Sequence, residues 1–162
     1  GSLTLALLRA VGESGKVTTY EINESVIPKA LNNIEKILPN PTNLCVKQGD
    51  IYLGLPERDV DRVVLDVPEP WNAVSGVGDA LVLGGILISF SPTILQVHQL
   101  VMALQSDGRF QRTETTETLL RPWHITEQSV RPEHRMVAHS GFLTTTVKCE
   151  RKNTDLTEIS IS

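Results

Sequence analysis

The sequence has no hydrophobic run long enough to cross a membrane. Its longest apolar stretch, Leu81 to Phe90, falls well short of the roughly 20 residues that a spanning helix needs, and Gly84 and Gly85 interrupt it. No secretory signal peptide is visible. The two cysteines, Cys45 and Cys149, lie far apart and form no CxxC or zinc-type spacing. We therefore expect a cytoplasmic protein without membrane contact. Free thiols are the favoured state, and a long-range or intermolecular disulfide is the alternative.

The chain also lacks the excess of positive charge that marks a general polyanion binder. Its net charge is −4, so any contact with nucleic acid must use a local basic patch. No GxSxG motif is present, which argues against a serine hydrolase of that type. His134 and His139 with Cys149 match no common metal-ligand spacing, so no metal site is predicted.

What the sequence does contain is an alternation of strand-like and helix-like segments over 162 residues, of which 40% are hydrophobic. This alternation is typical of an α/β protein with a mostly parallel sheet. Helices are predicted at Leu3 to Val11, Val26 to Leu38, Val74 to Leu83 and from Ile94 to Leu104. Strands are predicted at Lys16 to Glu21, Leu44 to Lys47, Val60 to Asp66, Ile86 to Phe90, Phe110 to Leu120 and Met136 to Lys148.

Three details of this pattern carry further expectations. Leu3 to Val11 is apolar on most faces, which predicts a buried helix, and Val60 to Asp66 reads as a strand buried on both faces. Gly84 and Gly85 are expected to form a turn between a helix and a strand. The last two strands follow each other without a helix, which predicts an antiparallel pair that closes the sheet.

Acidic residues stand repeatedly at the ends of predicted strands. Glu21 ends the first strand, Asp50 follows the second and Asp66 ends the third. Taken singly, each has a structural explanation: a helix cap, a turn beside Gly49, or a strand end before Pro68. Taken together they indicate a ligand site, because open α/β sheets bind ligands beyond the carboxyl ends of their strands.

At these places the chain resembles class I S-adenosylmethionine-dependent methyltransferases. The resemblance implies that Glu21 binds the ribose hydroxyls of the cofactor, and that Asp50, with Ile51 beside it, binds the adenine. The turn at Leu83 to Leu87 (LGGIL) resembles the family's entry to its fifth strand. Residues Gly1, Ser2 and Leu3 correspond to the end of the first glycine-rich motif, which approaches the cofactor at a helix N-terminus.

The implied fold is therefore a Rossmann-like, mostly parallel sheet with an antiparallel C-terminal strand. The family's first strand and its small N-terminal β-domain are expected to be missing from this sequence. Residues 1–149 are expected to form a partial catalytic domain, and residues 150–162 a polar tail.

Longer strings resemble one branch of that family, the tRNA (adenine-N1)-methyltransferases. The resemblance implies methyl transfer from S-adenosylmethionine to N1 of an adenosine in the tRNA T-loop, by an enzyme that assembles as a homotetramer. Position 58 is the favoured nucleotide, with neighbouring T-loop adenines as alternatives. The strings are Leu65 to Trp71 (LDVPEPW), Ser89 to Thr93 (SFSPT) with Gln96 and Val97, Leu120 to Trp123 (LRPW), and Arg131 to Leu143 (RPEHRMVAHSGFL).

Within these strings we single out Asp66 as the catalytic residue, beside the cofactor. A carboxylate that accepts a hydrogen bond from the adenine N6 amino group would stabilise the positive charge that develops on the base. Pro68 and Trp71 are expected to shape the substrate pocket. Because N1 lies on the Watson–Crick edge, the base must be extruded, and the RNA must be held nearby. The residues expected to hold it are Arg121, Arg131, His134 and Arg135.

Two alternatives remain open at this point. The chain could be another class I methyltransferase, with a protein carboxylate or a small molecule as acceptor. It could also be a non-catalytic tRNA-binding subunit of such an enzyme. Arg135 also has a structural alternative, an ion pair with Glu133 or with a neighbouring subunit.

Overall fold

The computed structural model describes residues 1–136 and 139–151 of the chain. It divides into two compact units, Gly1–Leu53 and a second that begins at Gly54. Within the described residues, no helix is both long enough and apolar enough to span a membrane.

The first unit contains a pair of parallel strands flanked by helices. Its order is α1 (Ser2–Val11), β1 (Val17–Glu21), a 3-10 turn at Glu24–Val26, α2 (Ile27–Glu35), β2 (Leu44–Gln48) and a 3-10 turn at Ile51–Leu53. The register runs from Val17 opposite Leu44 to Glu21 opposite Gln48. Leu8, Val17 and Ile34 form its buried core.

Helix α1 runs antiparallel to β1. Near its start the Thr4 hydroxyl donates to the hydroxyl of Thr19, in the middle of the strand, at 3.5 Å. At its other end the Asn43 amide, which directly precedes β2, donates to the Gly12 carbonyl at 2.8 Å. The N-terminus of α1 therefore lies at the edge where β1 and β2 end.

The second unit is built on a four-stranded sheet with the order β3-β4-β8-β5. Strands β3 and β4 are parallel, and β8 runs antiparallel between β4 and β5. Helices α3 and α4 pack on it, with Val77, Leu100 and Leu104 fully buried. The elements are β3 (Val60–Leu65), a 3-10 turn at Pro70–Ala73, α3 (Val74–Ala80), β4 (Leu81–Ser91), α4 (Ile94–Asp107), β5 (Phe110–Glu117), β6 (Trp123–Thr126), β7 (Ser129–Pro132) and β8 (Phe142–Lys148).

The predicted antiparallel pair is confirmed, since Phe110 pairs with Lys148 and Glu117 with Phe142. Strand β8 begins at Phe142 rather than at Met136. The β6–β7 hairpin was not predicted from the sequence, because two four-residue strands with mixed polar content show no clear period.

The prediction of a turn at Gly84 and Gly85 was wrong. Both glycines lie inside β4, in an irregularity where the pairing jumps from Val60 opposite Leu81 to Arg62 opposite Ile86. Gly84 has φ +79°, and a Cβ on Gly85 would lie 2.8 Å from the Val82 carbonyl oxygen. The glycines therefore permit a bulge in a continuous strand.

Two predictions of burial were also wrong. In α1 only Leu8 is fully buried, while Leu3 and Val11 are exposed, because one stripe of the helix packs on β1. In β3 only Leu65 is fully buried, and Asp61 and Arg62 are exposed. Helix α2 ends at Glu35 rather than at Leu38, and α3 at Ala80 rather than at Leu83.

Candidate functional site

Two acidic side chains stand together at the carboxyl edge of the β1–β2 pair. Glu21 is the last residue of β1 and lies opposite Gln48, and Asp50 follows two residues later. The Asn23 backbone N–H donates to Glu21 Oε1 at 2.9 Å, and the Tyr52 N–H donates to Asp50 Oδ1 at 2.9 Å. Each contact holds one carboxylate oxygen and thereby orients the other.

A structural role explains the position of Asp50, but the proposed structural role of Glu21 is not observed. Asp50 does stabilise the short turn Ile51–Leu53, whose Leu53 N–H donates to the Asp50 carbonyl at 3.2 Å. Glu21 does not cap the next turn, because Asn23 accepts the Ser25 N–H at 3.1 Å instead. Glu21 is thus a half-exposed carboxylate that has no role as a helix cap.

The N-terminus of α1 lies at the same edge. Gly1 precedes the helix, and its carbonyl accepts the Leu5 N–H at 2.9 Å. A Cβ on Gly1 would lie 3.2 Å from the Ala30 carbonyl oxygen and 3.3 Å from the Ile34 side chain, so glycine permits the close approach of α1 and α2. Ser2 and Leu3 form the first turn of the helix.

This donor and acceptor set fits S-adenosylmethionine. Carboxylates such as Glu21 and Asp50 accept hydrogen bonds from ribose hydroxyls and from an adenine amino group. The free N–H groups at the start of a helix attract a carboxylate such as that of the methionine portion. The first unit therefore provides matching groups for the nucleoside and for the amino acid.

In the second unit, Asp66 directly follows β3, and its side chain is exposed. Its backbone is held on both sides: Leu65 before it is 1% exposed and pairs with Ser89, and Pro70 after it is fully buried. Within the described part of the chain, Asp66 has no ion pair. The carboxylate is thus presented to solvent by a short, anchored loop, Asp66 to Glu69, which we call the Asp66 loop.

Side chains from other family-like sequence strings form hydrogen bonds near the carboxyl ends of β3 and β4. The Gln96 amide donates to the Pro68 carbonyl at 2.9 Å. The His139 imidazole donates from Nδ1 to Glu117 Oε1 at 3.0 Å and from Nε2 to the Pro92 carbonyl. Three separate sequence strings therefore meet around the carboxyl ends of β3 and β4.

Gly141 and Phe90 form a third contact between the strings. Gly141 has φ +133°, and a Cβ there would lie 2.4 Å from the Phe90 ring. Only glycine fits this close approach without a shift of the ring.

Pro68 lies within the Asp66 loop, and Trp71 follows the loop directly after Pro70. Trp71 is half-buried and Pro68 exposed. Their predicted role in shaping a pocket is compatible with these positions and stays a prediction.

The basic residues lie on and beside the β6–β7 hairpin. His124 pairs with Arg131 across it, and the Glu133 N–H donates to the Pro122 carbonyl at 3.0 Å. That bond extends the pairing, so Arg121 and His134 follow at the open end of the hairpin.

Arg135 is exposed and has no ion pair with a described residue. Glu133 instead lies 3.6 Å from the His124 ring. The alternative interpretation of Arg135, an ion pair with Glu133, is thus not observed.

The contacts that Gln96, His139 and Glu117 make here were not predicted from the sequence. A signal for Gln96 was present, since Thr93-x-x-Gln96 has the spacing of a helix capping box, and that box is formed. No local signal linked His139 to Pro92, because the two residues are 47 apart in sequence.

The remaining candidates for site chemistry are the cysteine thiols and any cluster of side chains that could bind a metal. Cys45 and Cys149 are free thiols. Within residues 1–136 and 139–151, no group of three or more His, Cys, Asp or Glu side chains is arranged to hold a metal ion.

The chain matches a known protein family and is similar in sequence to named relatives. The family model described as "tRNA methyltransferase complex GCD14 subunit" matches residues 1–156. A relative from Methanocaldococcus jannaschii, named tRNA (adenine(57)-N(1)/adenine(58)-N(1))-methyltransferase, is 34% identical over 89% of this chain. The match covers 60% of that relative, so the chain spans less than two thirds of its length.

Solved structures agree in fold. A Thermotoga maritima protein described as a SAM-dependent O-methyltransferase superposes with a TM-score of 0.85 at 38% identity, over 94% of this chain and 57% of that one. The Aquifex aeolicus tRNA (m1A58) methyltransferase superposes with a TM-score of 0.71 at 26% identity, over 91% and 59%. These likenesses confirm the expected Rossmann-like fold of class I S-adenosylmethionine-dependent methyltransferases.

Proposed function

Because the chain belongs to the family described as tRNA methyltransferase complex GCD14 subunit, we propose that it is the catalytic part of a tRNA (adenine-N1)-methyltransferase. The methyl donor is S-adenosylmethionine, and the acceptor is N1 of a T-loop adenosine, with position 58 favoured by the names of the relatives. The observation that carries this proposal is the exposed Asp66 carboxylate, held at the end of β3 in a loop that the family-like strings surround.

For the cofactor, we propose that residues of the first unit form most of the binding site. Glu21 would accept hydrogen bonds from the ribose hydroxyls, and Asp50 with Ile51 would bind the adenine. The first turn of α1, from Gly1 to Leu3, would receive the carboxylate of the methionine portion. S-adenosylmethionine, when bound, supplies an electrophilic methyl group on a sulfonium sulfur.

For the acceptor, we propose that Asp66 binds the exocyclic N6 amino group of the adenine. Adenine N1 is a weak nucleophile in a neutral ring, and methylation leaves that ring cationic. The ionised Asp66 carboxylate stabilises the positive charge as it develops, provided that the carboxylate is already in place. Pro68 and Trp71 would border the extruded base, and the indole of Trp71 offers an aromatic face for stacking.

For the RNA, we propose the basic residues around the β6–β7 hairpin. Arg121, Arg131, His134 and Arg135 offer charged or polar donors on a chain whose net charge is −4. Such a patch contacts phosphates locally and does not require a basic protein overall. As an assembly we propose a homotetramer, in the cytoplasm or nucleus where tRNA is modified.

A second candidate is methyl transfer to an oxygen atom, which the similarity to the Thermotoga maritima SAM-dependent O-methyltransferase favours. A hydroxyl acceptor must lose a proton on methylation, whereas adenine N1 carries none to lose. The non-catalytic alternative, a tRNA-binding subunit, predicts RNA binding without turnover.

The test is to incubate the complete protein with radiolabelled S-adenosylmethionine and unmodified tRNA, and then to map the labelled nucleoside. We expect N1-methyladenosine in the T-loop. Label in another nucleoside, or the absence of label from tRNA, would overturn the proposal.

The first prediction concerns the proposed role of Asp66. Asp66→Asn keeps the size of the side chain and removes its charge, so we expect turnover to fall by about 100-fold or more while tRNA affinity changes little. Asp61→Asn is the matched control, because Asp61 is an exposed carboxylate of β3 away from the strand end. Equal turnover of the two variants would show that Asp66 has no part in the chemistry.

A further inference from the structure

We propose that Gln96 is a positioning residue that fixes the Asp66 loop, and thereby the Asp66 carboxylate, through its hydrogen bond to the Pro68 carbonyl. The inference rests on the proposed function, in which Asp66 contacts the substrate. Gln96 lies in the first turn of α4, 28 residues from Pro68 in sequence.

Both ends of the Gln96 amide are engaged. Its Oε1 accepts the Thr93 backbone N–H at 3.1 Å and the Thr93 hydroxyl at 2.8 Å. Its Nε2 donates to the Pro68 carbonyl at 2.9 Å. The orientation of the amide follows from these partners, since a backbone N–H can only donate and a carbonyl can only accept.

The helix start makes Gln96 a rigid point of attachment. The Gln96 N–H donates to the Thr93 hydroxyl at 3.3 Å, which completes a reciprocal capping box at the N-terminus of α4. Val97, the next residue, is buried against the sheet at 5% exposure. The amide therefore projects from a helix turn that is fixed on both its polar and its apolar side.

The Asp66 loop needs such an attachment. Leu65 is fixed by the sheet and Pro70 by burial, but Pro68 is exposed and has no N–H with which to form a bond of its own. Gln96 supplies a side-chain hydrogen bond to the backbone of this loop from another element, helix α4. A displacement of about 1 Å at a reacting group costs on the order of 100-fold in rate, so a bond two residues from Asp66 affects catalysis.

The variant Gln96→Glu separates this role from helix capping. Glutamate at this position forms a capping box as well as glutamine does, so α4 should keep its stability. The second carboxylate oxygen, however, would face the Pro68 carbonyl oxygen, and two acceptors repel. The substitution therefore removes the bond to the loop and leaves the cap intact.

Lowering the pH should partly restore the activity of the same variant. When the glutamate is protonated, its hydroxyl can donate to the Pro68 carbonyl and restore the bond. The facing carbonyl oxygen disfavours the ionised carboxylate and so raises the pKa of this glutamate above the ordinary value of about 4.3. We therefore expect the activity of Gln96→Glu relative to wild type to rise about twofold or more as the pH is lowered from 8 to about 5. A residue that only stabilised the fold would give no such pH-dependent recovery.

The experiment measures kcat, KM for tRNA, melting temperature and amide hydrogen exchange in the peptide that contains Asp66 to Trp71. At pH 8 we expect Gln96→Glu to lower kcat about tenfold or more, to leave KM and the melting temperature nearly unchanged, and to speed exchange in that peptide. Gln99→Glu is the matched control, because it makes the same change on an exposed position of α4. It should alter none of these quantities.

The outcomes separate the two proposals. If the wild-type protein transfers no methyl group to tRNA, the proposed function fails, and the exchange measurement still shows whether Gln96 holds the loop. If the wild type is active and Gln96→Glu keeps the wild-type kcat at every pH, the positioning role is wrong, whether or not exchange changes. Loss of activity together with a large fall in melting temperature in Gln96→Glu would also overturn it, because the effect would then be one of folding.

Discussion

His139 shows how a single side chain can link distant parts of the second unit. Its two ring nitrogens face two acceptors, the Glu117 carboxylate at 3.0 Å and the Pro92 carbonyl. Only the protonated imidazole donates from both nitrogens. Two hydrogen bonds raise the pKa of His139 above its ordinary value of 6.5. The bond to Glu117 contributes most, and the bond to the Pro92 carbonyl contributes less.

This shift gives a prediction about pH. A raised pKa in the folded protein means that the stabilisation by His139 is complete below the unfolded-state pKa of about 6.5 and is lost as the pH rises through the folded-state value. We expect the contacts of His139 with Glu117, at the end of β5, and with the Pro92 carbonyl to weaken at alkaline pH. An NMR titration of the His139 ring should give a midpoint above 6.5, as the pKa shift implies.

Glu117→Gln tests the cause of the shift. The variant keeps a hydrogen-bond acceptor and removes the negative charge, so the His139 midpoint should move down toward the ordinary value. An unchanged midpoint would mean that Glu117 does not hold the proton on the ring.

At the scale of elements, the β6–β7 hairpin has two distinct faces. Trp123, Ile125 and Val130 share one face, and all three are exposed, at 55%, 73% and 69%. His124 and Arg131 pair on the other face. Their alternation follows from the period of two along each strand.

The polar face of the hairpin gives a prediction about RNA binding. If Arg131 contacts a phosphate, Arg131→Ala should weaken tRNA binding and lower the slope of log K against log salt by about 0.7 to 0.9. The measurement is a series of equilibrium binding curves between low and moderate salt.

Arg62→Ala is a close control for that experiment. Both arginines donate from Nη1 to a neighbouring backbone carbonyl, Arg62 to Asp61 at 2.7 Å and Arg131 to Pro132 at 3.3 Å, so the two substitutions remove similar local contacts. An Arg131 variant with the affinity and salt slope of the Arg62 variant would contradict the proposed phosphate contact.

Elements with a strong local period could be predicted from the sequence. Strand β1, helix α4 and the antiparallel pairing of β5 with β8 were each predicted, although β8 begins at Phe142 rather than at Met136. The bulge at Gly84 and Gly85 could not be, because paired glycines mark a turn and a bulge alike. Which of the two forms depends on the partner strand, β3.

At the scale of the whole molecule, cofactor binding should appear as thermal stabilisation. A ligand present at 100 times its Kd adds about 2.7 kcal/mol to the stability of the state that binds it. We expect S-adenosylmethionine to raise the melting temperature of the complete protein, and Glu21→Gln to lose most of that increase because the ribose loses a charged acceptor.

Glu21→Gln should leave the melting temperature without ligand unchanged, since the glutamine carbonyl can still accept the Asn23 N–H, which lies 2.9 Å from the Glu21 carboxylate. Glu24→Gln, an exposed carboxylate in the following turn, is the control. If both variants keep the full ligand-induced increase, Glu21 does not bind the cofactor.

The sequence by itself determined the fold class and the carboxylates at the strand ends, because hydrophobic period and strand termination are local properties of the chain. Glu21, Asp50 and Asp66 were all found at or just beyond the ends of strands. Only the tertiary structure decided which side chains hold the Asp66 loop and the Pro92 carbonyl. Gln96 and Pro68 are 28 residues apart, and His139 and Pro92 are 47 apart. A hydrogen bond over such a separation depends on the packing of helix and sheet and on the close approach at Gly141, which no local pattern encodes.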